Sequence, residues 1–248
     1  MPKVFIIPHY HYKNQFVNFL DRANKAQESF EFYLLPLEIE NEAPLKKTVA
    51  DYTEILWFLD NQKRRMGLNL ENLLIAFHDG VITASDRGLT NLFIAGANRE
   101  DPYPCTAAVS LQFISWGILE QKYDYSLQRH ALFHLVMCTL VGVYTKVAEH
   151  HETYGCLLDF NEQLVDFNRK LQMGYYLCST SQNGCYAAMQ SEPYGKSIIR
   201  LGEVLREYID REEVIKIIQN IQQYGKYNVN IGQGTSIRMG DTYQNQKE

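Results

Sequence analysis

Two histidines in the middle of this 248-residue chain have the spacing of metal ligands, in the run H-A-L-F-H. His130 and His134 are four residues apart, so on a helix they lie on the same face. Two imidazoles placed in this way can bind one tetrahedral zinc ion. Core or surface histidines can have the same spacing, so the pair by itself leaves both interpretations open.

The residue after the first histidine determines what a bound metal ion could catalyse. In zinc peptidases a glutamate at this position takes a proton from the metal-bound water and passes it on. This chain has Ala131 there, which can do neither. Glu149 and Glu152 are the candidates for a replacement general base, provided that one of them comes within hydrogen-bond reach of the water.

The segments that must position these residues alternate between strand and helix patterns, which predicts an α/β fold. Strands are predicted at residues 4–8, 30–39, 72–77, 89–97 and 105–113. Helices are predicted at residues 14–25, 47–65, 126–147 and 161–171. The helix at 126–147 carries the histidine pair and is apolar on most faces, so we expect it to be buried.

The C-terminal region differs from the rest, and we predict a domain over residues 1–190 and an appendage over 191–248. Residues 196–224 have the periodicity of two short amphipathic helices that break near Asp210. Residues 228–243 alternate apolar and polar side chains around glycines, which predicts a small β-hairpin.

Composition limits the classes of function. A net charge of −5 does not suggest a protein that binds nucleic acid or a membrane surface, since both need a basic face. The N-terminus does not have the pattern of a signal peptide, and no run is long and apolar enough for a membrane span. We therefore expect a cytoplasmic protein, in which the five cysteines are free thiols or metal ligands rather than disulfides.

From Leu73 to Cys185 the order of these residues resembles the archaemetzincin-type zinc metallopeptidases. The histidine pair matches the first two histidines of the HExxH motif of that family. Residues 108–110 are similar to the edge strand before the active-site helix, and residues 156–158 to the C-x-M turn, with Leu158 in place of methionine. Cys178 and Cys185 are similar to the closing cysteine pair, although the gap between them is six residues and not two. The resemblance implies a mixed-sheet metallopeptidase-like core with a long buried helix.

The sequence departs from the family pattern at the third histidine, where it has Leu140. His151 is our candidate for the missing ligand beside His130 and His134, supplied from further along the chain. A second, structural zinc site would have four ligands: His150, Cys156, Cys178 and Cys185. Three thiolates and one imidazole form a closed structural set, so the resemblance implies one or two zinc ions.

The alternative for the cysteines is that they pack as small buried hydrophobic side chains. This is our interpretation of Cys105 and Cys138. For the other three cysteines, metal binding and simple burial both stay open.

The tail resembles short glycine-rich motifs at the ends of proteins in bacterial conflict and signalling systems. The residues that carry this resemblance are Ile231, Gly232, Gln233, Gly234, Ile237, Gly240 and Asp241. Such motifs imply homotypic strand addition, in which identical strands stack through backbone hydrogen bonds. The alternative is an ordinary terminal hairpin or an unstructured tail.

Three functions follow from these expectations. The first is a degenerate, non-catalytic metallopeptidase-like effector or adaptor in a bacterial defence or signalling system. It would bind a protein partner, or itself as a homo-oligomer, through the tail, and it could retain a peptide ligand. The second is an active zinc peptidase with Glu149 or Glu152 as its base. The third is a metal-free binding or assembly protein.

Overall fold

The structure is a computed structural model that describes residues 1–35, 42–98, 100–112, 114–115, 125–150, 155–160, 164–179 and 184–206. The strands are β1 Lys3–Ile7, β2 Glu31–Leu34, β3 Val49–Asp51, β4 Leu73–His78, β5 Val81–Ala84, β6 Leu89–Leu92, β7 Ile94–Ala97 and β8 Thr106–Ser110. The α-helices are α1 Lys13–Ala26, α2 Tyr52–Arg65, α3 Tyr125–Tyr144, α4 Leu164–Met173, α5 Cys185–Ser191 and α6 Gly195–Arg206.

A five-stranded mixed sheet forms the centre of the described structure, with the order β2-β1-β4-β8-β7. Strands β2, β1, β4 and β8 run parallel, and β7 pairs antiparallel to β8. A smaller sheet has the order β3-β5-β6. This arrangement confirms the predicted α/β class with a mixed sheet.

The central strand β4 is buried along its whole length, because helices cover both faces of the sheet. Its side chains alternate between two apolar clusters, as the pleat of a strand requires. Leu73, Ile75 and Phe77 pack in the cluster that includes the apolar residues of α1, α3 and α6. Leu74 and Ala76 pack in the second cluster, which includes those of α2.

Helix α3 is the predicted long buried helix, and its burial is confirmed. Apolar residues occupy nearly every face of this helix. It therefore packs against the sheet, α1 and α6 instead of presenting a polar face to water. It ends at Tyr144, whose hydroxyl donates a 2.8 Å hydrogen bond to the Glu71 carbonyl, two residues before β4. The histidine pair is therefore held on a rigid, deeply packed element.

Two expectations about strands were wrong. Residues 89–97 do not form one strand, because the chain passes at Phe93 from β6 in the small sheet to β7 in the main sheet. Residues 108–110 do not lie in an edge strand, because β8 has β4 on one side and β7 on the other. The edge next to the helix that carries the histidines is β7.

Helix α6 begins after the predicted division at residue 190, yet Ile198, Leu201 and Leu205 belong to the main core cluster. The division into two domains stays a prediction. The predicted second helix of this region and the hairpin at 228–243 lie outside the described residues. Among the described residues, no helix has the length and apolar character that crossing a bilayer requires.

Candidate metal centre

One histidine and three cysteines from separate segments converge beside α3. The ligand atoms of His150, Cys156, Cys178 and Cys185 all lie within 4.8 Å of one another. Of the four residues, the three cysteines are buried and His150 is half-buried. No disulfide joins these thiols. The structure therefore brings together the four residues of the structural zinc set that the sequence suggested.

A tight turn holds His150 and Cys156 in place. The backbone of His150 pairs with the segment after the turn, since its N–H donates to the Leu158 carbonyl at 3.1 Å and its carbonyl accepts from Phe160 N at 2.8 Å. The turn itself is closed by Asp159, whose Oδ2 accepts from Gly155 N at 2.6 Å and from Cys156 N at 3.0 Å. Gly155 has a φ of 84°, a conformation that favours glycine.

Cys178 and Cys185 reach the same place from the segment that follows α4. Leu157 N donates to the Tyr176 carbonyl at 2.7 Å, which ties this segment to the turn. Cys178 N then points at the Cys156 sulfur at 3.4 Å. Cys185 is the first residue of α5, so its position is fixed by the start of that helix. Side chains 28 and 35 residues after His150 thus become its neighbours only through tertiary packing.

The imidazole of His150 has a carboxylate on one side and a thiol on the other. Its Nδ1 lies 3.2 Å from Asp159 Oδ1, and its Nε2 lies 3.7 Å from the Cys178 sulfur. Histidines that bind metals commonly have their second nitrogen against a carboxylate, which fixes the ring and raises its basicity. Nε2 is therefore the nitrogen that is directed at the cysteine cluster.

Burial favours the protonated thiol form of Cys156 and Cys185 in the absence of a metal. Burial raises the pKa of Cys156 to about 11, although the Cys178 N–H opposes the shift. Burial and the neighbouring Cys178 thiol also raise the pKa of Cys185. A metal ion would displace these protons, because thiolate is the form that binds. The donor set, three sulfurs and one oriented imidazole, fits a closed zinc site without an open position for catalysis.

The histidine pair of α3 lies apart from this cluster. His134 is fully buried, with the Tyr175 ring stacked on it at a centroid distance of 5.0 Å and Phe167 against its edge. His130 is nearly buried, and its Nδ1 shares a 3.1 Å hydrogen bond with the Tyr175 hydroxyl. Burial lowers the pKa of His130 to about 3, and burial, with the Lys170 ammonium, lowers that of His134. Both imidazoles are therefore neutral.

The described residues do not complete a catalytic zinc site at this pair. Nε2 of His130 and both ring nitrogens of His134 have no hydrogen-bond partner there, so they could serve as ligands. However, among the described residues no third histidine, cysteine or carboxylate joins them. The charge of Lys170 also opposes a cation at His134, and Ala131 supplies no base.

Several predicted site residues lie where the structure does not describe them or in exposed positions. His151, Glu152 and the tail residues 231–241 are outside the described residues. Glu149 is exposed on the segment that leads to His150. Their predicted roles therefore stay predictions.

Two residues of these sites were missed by the sequence reasoning. Asp159 follows Cys156 by three residues, and an acid close after a cysteine is a weak signal for a partner of a ligand histidine. Tyr175 follows Gly174 directly, and both have a φ of 57°. Nothing in the sequence connects Tyr175 to His130, which is 45 residues away.

Comparison with known proteins supports the fold, and one family model matches the C-terminal region. A family model described as effector-associated domain 10 matches residues 200–248. A zinc-dependent peptidase from Methanocorpusculum labreanum is similar in structure, with 13% identity and a TM-score of 0.53, over 81% of this chain and 100% of that one. The archaemetzincin from Archaeoglobus fulgidus, solved with malonate, aligns with 16% identity and a TM-score of 0.44, over 67% of this chain and 91% of that one. Among curated proteins, none matches the sequence.

The fold of the chain is thus metallopeptidase-like, as the sequence predicted, and an effector-associated domain model matches its C-terminal end.

Proposed function

We propose that this protein is a non-catalytic, metallopeptidase-like effector or adaptor of a bacterial defence or signalling system, acting in the cytoplasm. The observation that carries this proposal is the contrast between its two histidine sites. The cluster around His150 has a full zinc ligand set, while the pair on α3 has lost the catalytic glutamate to Ala131 and is covered by Tyr175. The zinc ion would therefore stabilise the fold instead of hydrolysing peptides.

The C-terminal region would bind the partner. A match to an effector-associated domain over residues 200–248 favours protein–protein interaction. We propose that residues 231–241 bind a protein partner, or a second copy of this chain, by homotypic strand addition. In this arrangement the peptidase-like core would recognise a target, which could be a peptide held without cleavage, and the tail would connect it to the rest of the system.

Metal analysis is the first test of this proposal. The protein, purified without added zinc, should contain about one zinc ion, as one closed four-ligand site holds one ion. Absence of zinc would favour a metal-free assembly protein, and two ions would favour a second site at the histidine pair.

A peptidase assay tests the loss of catalysis. The wild-type protein should have no chelator-sensitive activity, because Ala131 cannot act as the general base. Glu149→Ala and Glu152→Ala should behave as wild type does. Activity that disappears on chelation, and in one of these two variants, would identify an active enzyme and contradict the proposal.

Deletion of residues 228–248 tests the tail. The shortened protein should unfold at the same temperature as the full chain, because the described main core is built from residues between Val4 and Leu205. It should lose self-association and partner binding. Identical oligomeric states and identical bound partners for the two proteins would remove the tail from the proposal.

A further inference from the structure

Tyr175 covers the histidine pair of α3 from one side. Its ring lies nearly parallel to that of His134, at an interplanar angle of 22°, and meets that of His130 edge-on at a centroid distance of 5.2 Å. Its hydroxyl is hydrogen-bonded to His130 Nδ1. One side chain therefore covers part of both imidazoles, which include three buried nitrogens without a described partner. Buried polar atoms without a partner are rare, so these three nitrogens call for an explanation.

The backbone of Tyr175 is held in a costly conformation. Tyr175 and Gly174 both have a φ of 57°, and this left-handed region is unfavourable for a residue with a Cβ. Such a conformation persists only where the surroundings enforce it. If those contacts weaken, the backbone of Tyr175 gains by relaxing to an ordinary conformation, and the ring would move away from the histidines.

The contacts that enforce this conformation come from α6. Arg206 Nε donates a 2.8 Å hydrogen bond to the Gly174 carbonyl, at the peptide that precedes Tyr175. Gly202 lies against the Tyr175 side chain, so closely that a Cβ added at Gly202 would be 3.2 Å from Tyr175 Cβ. The last residues of α6 therefore hold both the backbone and the base of the side chain of Tyr175.

Next to Tyr175 there is room for movement. A cavity of about 190 Å³ is lined by Tyr175, by Met137 of α3 and by Gly202 and Arg206 of α6, among other residues. Arg206, which ties down Gly174, is thus also at this cavity. A small shift of α6 would change the size of the cavity and the contacts of Tyr175 together.

The same end of α6 belongs to the region that matches the effector-associated domain, since that match begins at residue 200. We propose that Tyr175 is a gate over the His130–His134 pair and that α6 holds it closed, so that engagement of the C-terminal region releases the gate. The released state would expose these imidazole nitrogens to a polar group of a target protein. This inference rests on the proposed function, because it assumes that the C-terminal region binds a partner.

Histidine labelling tests the gate on the full-length protein. Diethyl pyrocarbonate modifies accessible neutral imidazoles, and mass spectrometry gives the rate at each histidine. In the wild type His130 and His134 should be protected, while the exposed His11 reports that the reagent is active. Tyr175→Gly removes the ring, suits the left-handed backbone and gives the labelling rate of the open state.

Arg206→Ala should raise the labelling rate of His130 and His134 by about tenfold or more, because a hydrogen bond from a charged donor shifts a two-state equilibrium by that factor. Its matched control is Arg200→Ala, on the same helix, since Arg200 is exposed and pairs with Glu203. The control should label as wild type does.

Gly202→Ala tests the second contact of α6. The added Cβ would press against Tyr175 Cβ and displace the ring, so the labelling rate of His130 and His134 should also rise. Its control is Gly142→Ala in α3, where an added Cβ meets nothing within 4 Å. Thermal unfolding of each variant shows that labelling reports local opening of a folded protein. If Gly202→Ala does not fold, Arg206→Ala still tests the gate. The Arg206 side chain is partly exposed, so its replacement should leave the protein folded.

Unchanged protection of the pair in folded Arg206→Ala would overturn the gate. Zinc content and tail-dependent association do not enter this measurement, so the gate and the proposed function can fail separately.

Discussion

The two carboxylate oxygens of Asp159 contact different groups, one the imidazole of His150 and the other the backbone of the turn at Gly155 and Cys156. Oδ1 lies 3.2 Å from His150 Nδ1, and Oδ2 accepts the N–H groups of Gly155 and Cys156. A single buried acid thus positions two of the four candidate ligands, one by its imidazole and the other by its backbone. Loss of the Asp159 carboxylate should therefore weaken metal binding, although Asp159 is not itself one of the four candidate ligands.

Replacement of Asp159 tests this arrangement. Asp159→Asn should lower zinc affinity by about 10- to 100-fold, the usual effect of removing the partner of a ligand histidine. Competition with a chromogenic chelator measures the affinity. The matched control is Asp60→Asn, because Asp60 is a buried acid that pairs with Arg64 in α2. Equal affinities of the two variants would contradict the role of Asp159.

Replacement of a cysteine tests the ligand set itself. Cys178→Ser should leave almost no bound zinc after dialysis and should lower the unfolding temperature, because metal binding contributes directly to folding. Cys105→Ser is the control, since this buried thiol lies outside the cluster. Elemental analysis gives the zinc content. Full zinc content in Cys178→Ser would show that the four residues are not its ligands.

The packing of α6 predicts that the start of the effector-associated match is part of the core. Leu201 is fully buried, so Leu201→Ala should lower the free energy of unfolding by about 2–5 kcal/mol. Urea denaturation measures the loss. Glu203→Ala, at an exposed position of the same helix, should cost much less. A small effect of Leu201→Ala would mean that α6 unfolds independently of the core.

Stability should depend on pH through His78 at the end of β4. This residue is buried, its Nδ1 lies 3.2 Å from the Leu45 carbonyl, and burial lowers its pKa below the ordinary value of 6.5. At higher pH the ring is neutral in both states. Below pH 6.5 the unfolded chain takes up a proton that the folded protein does not. The free energy of unfolding therefore decreases as the pH is lowered, by at most about 1.4 kcal/mol per pH unit for this group.

His78→Gln should reduce that slope below about pH 6.5, where an unfolded histidine is protonated while the buried one is still neutral. Denaturant unfolding at several pH values gives the slope. His11→Gln, at an exposed position, should keep the slope of the wild type. Parallel profiles for wild type and His78→Gln would contradict this account.

The sequence by itself determined features that depend on local order. A run apolar on most faces gave the buried helix α3, and the four-residue spacing placed His130 and His134 on one face of it. The presence of Ala131 in place of a glutamate is also a sequence fact, and it carries the loss of a general base. Each of these follows from residues within a few helical turns, where backbone geometry fixes the relationship.

The tertiary structure alone decided which distant side chains meet. It directed His150 Nε2 at Cys178, set Asp159 behind that imidazole and placed the Tyr175 ring on His134. It also put β7, and not β8, at the edge of the sheet. Periodicity repeats over 2 or 3.6 residues and carries no information about partners that are tens of residues apart, whose contacts are set by how the whole core packs.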